Sequence, residues 1–257
     1  MTKPRWNGAV RRVLGFALAL CLTPALLAGG TLPARAIVGG SPASAEVAAH
    51  TVLIVSTRGA SCTGTVLAPN LVLSAAHCLG PKGDYAVALV SGGSARLIPI
   101  TEIAIHPGFD ADQFRTRRPT PDIALAKLAE PLPASYRPAE LAPKGGLPAK
   151  GTTFLLAGYG VTTEGAPATA GTLRMVRLPS IGTTGGIMAR LSLPSGLAGA
   201  CIGDSGGPAF KDGVLAGVMG WATAPGGKRG CGGVTGVTLV SLQRDWIEQA
   251  ARALEAR

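Results

Sequence analysis

Residues 201–208 have the sequence CIGDSGGP, which places a single serine, Ser205, among three glycines. A turn with few side chains suits a nucleophilic hydroxyl, because the substrate must approach it closely. Serine is a weak nucleophile at its ordinary pKa and needs an adjacent base. The rest of the chain must therefore supply a general base and a group that orients it.

Two further motifs supply these groups. Residues 74–78, SAAHC, place the imidazole of His77 beside a cysteine, and residues 122–125, DIAL, place the carboxylate of Asp122 at the start of an apolar strand. An imidazole that is oriented by a carboxylate can take the proton of a serine hydroxyl. The sequence therefore predicts a catalytic triad of His77, Asp122 and Ser205.

The first 36 residues have the pattern of a secretory signal peptide. Basic residues are followed by an apolar run, residues 13–28, and by the triplet ARA at 34–36, which fits a signal-peptidase site. A membrane anchor is the alternative, but the run contains Pro24 and is shorter than the ~20 apolar residues that a spanning helix needs. Five basic residues and no acidic residue fall in this segment, so half of the formal net charge of +10 belongs to it. We expect a secreted, extracellular protein that begins at Ile37.

An even number of cysteines remains after the predicted signal peptide: Cys62, Cys78, Cys201 and Cys231. In an exported chain this predicts two disulfides, for which the sequence alone allows three pairings. A metal site is disfavoured, because no pair of cysteines has Cys-x-x-Cys spacing and His77 is the only histidine near a cysteine. We expect no metal and no cofactor.

Residues 37–257 are expected to form an all-β structure. Short β-rich apolar stretches alternate with Gly, Pro, Asn or Ser, which is typical of short strands joined by turns. The predicted strands span residues 51–56, 65–68, 71–74, 86–90, 98–105, 152–157, 172–178, 214–219 and 237–240. A Gly- and Pro-rich link at 142–151 divides them into two β-barrels, at about 37–143 and about 151–240. Apolar positions at helical spacing predict a C-terminal helix over about 241–255.

In their order along the chain, the three motifs resemble those of the trypsin/chymotrypsin-like serine proteases of the secreted bacterial type. Residues 158–160, GYG, and 105–107, IHP, are also similar to segments of that family, so the resemblance extends from Ile37 to the C-terminal helix. It implies two six-stranded antiparallel β-barrels with the active site between them. It also implies a serine endopeptidase that acts through an acyl-enzyme intermediate.

The resemblance assigns roles to individual residues. Ser205 would attack the peptide carbonyl, and the N–H groups of Gly203 and Ser205 would form the oxyanion hole. His77 would act as general base and then as general acid, while Asp122 fixes its tautomer. The disulfides implied are Cys62–Cys78, which holds the His77 segment, and Cys201–Cys231, which braces the specificity pocket.

The sequence IVGG at 37–40 is similar to the activated N-terminus of this family, whose α-amino group pairs with the aspartate before the nucleophile, here Asp204. Family zymogens are normally cut after Arg or Lys, whereas Ala36 precedes Ile37 in this chain. The hypothesis is that signal peptidase itself releases Ile37, so that no separate propeptide is needed.

The predicted substrate-binding residues are Gly199, Ala200, Gly220, Trp221 and Ala222. Gly199 occupies the position that carries an aspartate in trypsins, so cleavage after Arg or Lys is not expected. The small, uncharged pocket favours a small to medium apolar residue before the cut bond, with aromatic residues next. Lys228 and Arg229 leave a glutamyl preference open, although a solvated loop is their more ordinary interpretation. Gly220 also replaces a serine whose hydroxyl normally holds the triad aspartate.

Two other classes of function compete with the enzyme. A catalytically silent binding module would have a broken triad, and nothing breaks it here. A nucleic-acid binder would explain the positive charge, but the chain has only 3 Trp, 3 Tyr and 5 Phe and no basic-aromatic stripe.

The expected partners are polypeptide substrates and a proteinaceous inhibitor, with no nucleic acid and no stable membrane association after signal cleavage, and the protein is expected to be a monomer. His50 and His106 are expected to be structural.

Overall fold

The computed structural model describes residues 37–91, 94–116 and 118–256, so the predicted signal peptide lies outside the described residues. The strands, in chain order, are β1 (Ser41–Pro42), β2 (Thr51–Ser56), β3 (Ser61–Ala68), β4 (Leu71–Ser74), β5 (Tyr85–Ser91), β6 (Ser94–Ile105), β7 (Ala124–Leu128), β8 (Thr153–Gly158), β9 (Arg174–Thr184), β10 (Met188–Leu191), β11 (Pro208–Lys211), β12 (Val214–Ala222) and β13 (Thr235–Leu239). The helices are α1 (Ala45–His50), α2 (Ala76–Leu79), α3 (Gln113–Thr116) and α4 (Val240–Glu255), with short 3-10 turns at Pro167–Thr169 and Pro225–Gly227.

Six strands form the first barrel, which closes in the order β2-β3-β4-β7-β6-β5 with every neighbouring pair antiparallel. Residues that alternate along each strand point into the barrel, because successive side chains of a strand face opposite sides. Its interior is a cluster of β-branched and aliphatic side chains that includes Val52, Ile54, Val66, Val72 and Ile98.

The second barrel contains β8, β9, β10, β13, β12 and β11 in that order and closes through the pairing of β8 with β9. Strand β1 is added to the outer edge of β9, with Ser41 opposite Met175. The interior is built around large apolar side chains such as Phe154, Leu156 and Leu178. The two closed six-stranded antiparallel barrels confirm the predicted fold class.

A third apolar cluster joins the two barrels to the C-terminal helix. It combines Leu73 and Leu125 of the first barrel with Val218 of the second and with Ile247 and Leu254 of α4. Helix α4 therefore packs against both barrels. Among the described residues, no helix is long and apolar enough to cross a membrane.

Candidate active site

The register between β4 and β7 brings the predicted base to the predicted carboxylate. Ser74 pairs with Ala124, so helix α2, which follows β4, lies beside the residues that precede β7. Asp122 Oδ1 accepts a hydrogen bond from the His77 backbone N–H at 2.9 Å, and Oδ2 lies 2.7 Å from Nδ1. Asp122 is fully buried, whereas the His77 side chain is 24% exposed. Because a carboxylate only accepts, Nδ1 is the donor in this contact, and in the neutral imidazole Nε2 is then the acceptor.

The loop that contains Ser205 is bonded to both barrels. The Ser205 carbonyl accepts a hydrogen bond of 2.8 Å from the N–H of Thr63 in β3. The next residue, Gly206, donates to the carbonyl of Met219 in β12 at 2.7 Å. The half-buried Ser205 is therefore fixed at the junction of the two barrels.

The Cys62–Cys78 disulfide contacts both the imidazole and the serine backbone. Cys78 Sγ is 3.7 Å from His77 Nε2 and 3.7 Å from the carbonyl oxygen of Ser205. The outward nitrogen of His77 and the Ser205 peptide thus contact one sulfur atom. The structure brings all three predicted triad residues into one neighbourhood.

Glycines allow the turn around Ser205 to form. Gly203 and Gly206 have φ values of +95° and +82°, a region that favours glycine. A Cβ on Gly203 would lie 2.8 Å from the Cα of Gly160. Within the described residues, the N–H groups of Gly203 and Ser205 donate to no protein acceptor. Two such free donors in one tight turn can stabilise a developing oxyanion.

Asp204 lies in a buried cradle of backbone. Its Oδ1 accepts from the N–H of Gly160 and its Oδ2 from the N–H of Cys201, both at 2.8 Å. A Cβ on Gly158 would lie 2.2 Å from Oδ1, so only glycine fits there. Burial raises the pKa of Asp204 to about 7, although both N–H donors act to lower it. Among the described residues, no Lys, Arg or His side chain forms an ion pair with this carboxyl.

Ile37 lies next to the segment that leads to Asp204. Its side chain is fully buried in the core of the second barrel, in one cluster with Ala200. The following residue, Val38, accepts a hydrogen bond of 3.1 Å from the N–H of Gly199. The N-terminal segment is thus attached to residues 199–200, which directly precede the Cys201 N–H that Asp204 accepts from.

The predicted pocket residues Gly199 and Ala200 pack directly against the chain that follows the second disulfide. The N–H of Ala200 donates to Thr235 Oγ1 at 2.9 Å, and its carbonyl accepts from the N–H of Gly232 at 3.2 Å. A Cβ on Gly199 would lie 3.0 Å from Thr235 Oγ1 and 3.1 Å from the Gly233 carbonyl oxygen. This wall of the pocket is therefore small, tightly packed and without charge.

The opposite wall is the end of β12. Trp221 pairs with Gly236 of β13. The indole of Trp221 packs directly over Gly236, because a Cβ on Gly236 would lie only 2.0 Å from Trp221 Cε2. A Cβ on Gly220 would lie 3.4 Å from Asp122 Oδ2, an ordinary contact distance. Both hydrogen bonds recorded to Asp122 in the described residues come from His77, so the space beside Gly220 offers the carboxylate no side-chain donor.

Both predicted disulfides are present. Cys62 is bonded to Cys78 and Cys201 to Cys231, with Cα separations of 6.3 Å and 4.7 Å. This confirms the pairing that the resemblance implies. In the part of the chain that the structure describes, Cys62, His77 and Cys78 are the only group of potential metal ligands in close proximity. Because its two sulfurs are bonded to each other, the group does not form a zinc-type site.

Four residues at the site were not identified from the sequence. Thr63 Oγ1 donates to the Gly203 carbonyl at 2.8 Å, and Thr235 Oγ1 accepts from Ala200. The ring of Phe114 packs edge-on against that of His77, with centroids 5.3 Å apart, and Gln113 precedes it in α3. Thr63, Thr235 and Phe114 each contact a residue distant in sequence, and no local motif signals such a contact.

The two remaining histidines have structural contacts. His50 Nδ1 lies 2.6 Å from the carbonyl oxygen of Arg137. His106 Nδ1 accepts from the N–H of Gly108 at 3.0 Å, and its ring lies 4.8 Å from that of Trp246 in α4. Burial lowers the pKa of His106 below its usual value.

Comparison with known proteins agrees with this geometry. Human serine protease 56 is 32% identical to this chain over 250 residues, which are 86% of this chain but only 40% of the length of the human protein. Trypsin from Sus scrofa is 27% identical over 232 residues, covering 84% of this chain and 96% of that protein. Trypsin from Saccharopolyspora erythraea is 29% identical over 209 residues, covering 72% of this chain and 86% of that protein.

The family model described as Trypsin matches residues 37–247, which is most of the chain and all of both barrels. This match begins at the residue where the predicted mature segment begins. Together with the fold and the relatives, it confirms the resemblance of the three motifs. The chain belongs to the trypsin family and is a serine endopeptidase.

Proposed function

We propose that the chain is an exported endopeptidase in which His77, Asp122 and Ser205 form the catalytic triad. One observation carries the proposal. The His77 imidazole is hydrogen-bonded to the buried Asp122 carboxylate, and its free nitrogen and the Ser205 peptide contact the same sulfur of Cys78. A base that is oriented in this way beside a serine is the arrangement that activates a hydroxyl.

In this mechanism, Ser205 Oγ attacks the carbonyl carbon of the substrate and its proton passes to His77 Nε2. The negative charge that develops on the carbonyl oxygen is stabilised by the N–H groups of Gly203 and Ser205. The C–N bond then breaks, and His77 gives its proton to the leaving amine. Water repeats the sequence on the resulting ester, releases the acid product and restores Ser205.

The substrate lies along the free edge of β12. Strand β11 pairs with β12 only as far as Val218, with one further exchange of hydrogen bonds at Met219. Beyond Met219, the described residues include no strand partner on that side of β12. An extended peptide can add to such an edge through backbone hydrogen bonds. We assign this edge to the substrate residues on the N-terminal side of the scissile bond.

The residue before the scissile bond enters the pocket between Gly199 and the end of β12. The neutral, glycine-rich wall around Gly199 and Ala200 supports a preference for small to medium apolar side chains, with aromatic ones next. Exposed Lys228 and Arg229 keep acidic side chains as the alternative.

Activation follows from the release of Ile37. A fully buried carboxyl at Asp204 with no cationic partner among the described residues is unfavourable when ionised, and a new α-amino group on the Ile37 segment would compensate its charge. Signal peptidase would create this amine by cutting after Ala36. Export is supported by the two disulfides, which persist in oxidising compartments, and by the predicted signal peptide.

The test is hydrolysis of a peptide series that varies only the residue before the scissile bond, among Ala, Leu, Phe, Glu and Arg. We expect the Ala and Leu peptides to be cleaved fastest and Ser205→Ala or His77→Ala to lower kcat by about 10⁴-fold or more. Ser195→Ala, which changes an exposed loop serine, is the matched control and should retain full activity. Fastest cleavage after Arg would refute the pocket assignment. A correctly processed protein that cleaves none of the peptides would favour the catalytically silent binding module.

A further inference from the structure

A cavity of about 680 Å³ adjoins the proposed active site. Phe114 lines it and packs against the ring of His77. Trp221 and Ala222 form another wall, at the free edge of β12. A peptide that lies along this edge would therefore pass the cavity on its way from the triad.

The charged side chains that line the cavity are cationic. Among the described residues, its lining includes four cationic side chains, Arg118, Arg190, Lys228 and Arg229, and no acidic residue. All four are exposed, and none takes part in an ion pair within the described residues. Four unpaired cations around one concave surface create a positive potential that attracts anionic groups.

Two acidic groups lie beside residues of the cavity without pairing with its cations. Asp112 precedes α3, and its carboxylate is bonded to Arg115 at 2.7 Å. Glu164 lies beside the loop of Arg229, since a Cβ on Gly230 would be 2.6 Å from Glu164 Oε2, but Glu164 does not line the cavity. The cations that face the cavity are therefore available to a ligand.

Gln113 adds a buried donor at the same place. It lines the cavity, is only 6% exposed, and its Oε1 accepts from the N–H and the hydroxyl of Thr120 at 3.1 Å and 2.9 Å. A backbone N–H can only donate, so the other amide atom is Nε2, and this donor has no partner in the part of the chain that the structure describes. Buried donors are rarely left without an acceptor, so the wall at Gln113 is itself polar.

We propose that this cavity is a subsite for acidic side chains of the substrate, two to four residues before the scissile bond. The inference rests on the proposed function, because it uses the same edge of β12, and it adds a substrate class: peptides with Glu or Asp on the N-terminal side of the cut. The cations come from three separate parts of the chain, the segment after α3, strand β10 and the loop after the second 3-10 turn. The subsite is thus separate from the neutral pocket around Gly199 and does not require a glutamyl preference at the cut itself.

Binding to the Ser205→Ala variant tests the subsite without requiring turnover. Two labelled peptides, with either Glu or Gln at the second to fourth positions before an Ala at the cut, are compared by fluorescence anisotropy. We expect the Glu peptide to bind about tenfold more tightly at low salt, because each exposed ion pair contributes little by itself. This preference should shrink at about 0.5 M NaCl, where exposed charges are screened.

Neutralising the cations identifies them as the source of the preference. In the Ser205→Ala background, Arg118→Gln, Arg190→Gln, Lys228→Gln and Arg229→Gln combined should bring the Glu to Gln affinity ratio close to one. Lys150→Gln changes an exposed lysine outside the cavity and should leave the ratio unchanged. All five positions are exposed, so the variants are expected to fold.

Several outcomes would overturn the subsite. These are equal affinity for the two peptides, an equal loss of preference in Lys150→Gln, or tighter binding of single-stranded DNA than of the Glu peptide at the same cations. Parallel kinetics with the active enzyme distinguish the two proposals. Cleavage of the Gln peptide without any advantage for Glu overturns only the subsite. A clear preference in binding, with neither peptide cleaved by the protein that begins at Ile37, supports the subsite and contradicts the proposed function.

Discussion

Gly220 leaves one side of Asp122 without a side-chain donor. A Cβ there would lie 3.4 Å from Asp122 Oδ2 and 3.5 Å from Met188 Cε, so a serine fits without strain. Its hydroxyl would add a third hydrogen bond to a buried carboxylate that, within the described residues, accepts only from His77. We expect Gly220→Ser to raise kcat by about threefold with little change in KM. Gly220→Ala is the control, and an equal gain in that variant would contradict the hydrogen-bond explanation.

Gly160 is required for the close approach of backbone to Asp204. A Cβ there would lie 2.6 Å from the Ile202 carbonyl oxygen and 2.7 Å from Asp204 Cγ. Gly160→Ala should destabilise the fold by about 1–3 kcal/mol and lower kcat/KM by about 10²-fold, because it displaces the turn that holds Ser205. Gly146→Ala, where nothing lies within 4 Å, should change the free energy of unfolding by no more than about 0.5 kcal/mol. Equal unfolding midpoints for the two variants in urea would count against this prediction.

The sequence predicts the residues that lie in short catalytic motifs, but not the residues that hold those motifs in place through hydrogen bonds. His77, Asp122 and Ser205 stand in short motifs whose residue types already suggest a reaction. Thr63 and Thr235 are ordinary strand threonines until the barrels place their hydroxyls beside Gly203 and Ala200. Their importance depends on contacts across more than 30 residues, which a single sequence does not encode locally.

The two disulfides hold different parts of the site. Cys62–Cys78 contacts both His77 and Ser205, while Cys201–Cys231 joins the two segments that form the pocket wall. Replacing both cysteines of either pair with serine should cost about 3 kcal/mol of stability. We expect loss of the first bond to lower kcat more than it changes KM, and loss of the second to change KM and the preference for the residue before the cut. Identical kinetic effects of the two double variants would show that neither bond has a local role.

At the level of strands and helices, the predictions succeed where the apolar pattern is uninterrupted. Strands β2 and β4 have the predicted bounds, and α4 begins one residue before the predicted helix. The first half of β3 was missed because it contains Gly64, whose lack of a side chain allows contact with Val72. Strand β10 has only four residues, and β11 is equally short and begins with a proline that is tolerated at a strand start.

At the scale of the whole molecule, the proposed activation couples the N-terminus to the nucleophile loop through Asp204. Burial raises the pKa of this carboxyl from 3.8 to about 7. In a chain that retains residues before Ile37, called the extended chain, burial therefore opposes the ionisation of Asp204. The stability that the neutral carboxyl contributes is complete below pH 3.8 and is lost as the pH rises through about 7.

We expect the free energy of unfolding of the extended chain to fall over this range, by an amount on the order of 4 kcal/mol. The chain that begins at Ile37 should lack this decrease, because its ammonium group pairs with the carboxylate. Urea unfolding of both forms between pH 4 and about 8 measures the difference. Asp204→Asn in the extended form is the control and should abolish the slope. The same slope in both forms would show that the N-terminus does not reach Asp204.

The arrangement of two barrels follows from the sequence only in part. The Gly- and Pro-rich link indicates two halves, but the addition of β1 to the second barrel and the cluster that α4 forms with both barrels arise from long-range packing. The positive cavity also arises from long-range packing, because its four cations lie in three separate segments of the chain. Of the four, only Lys228 and Arg229 are adjacent in sequence.

The most direct test of the triad is the intact mass of the secreted protein before and after reaction with a fluorophosphonate. The account predicts the mass of residues 37–257 less four hydrogens for the two disulfides, and a single added phosphonyl group that is absent in Ser205→Ala. A protein of that starting mass that gains no adduct would contradict the proposed nucleophile.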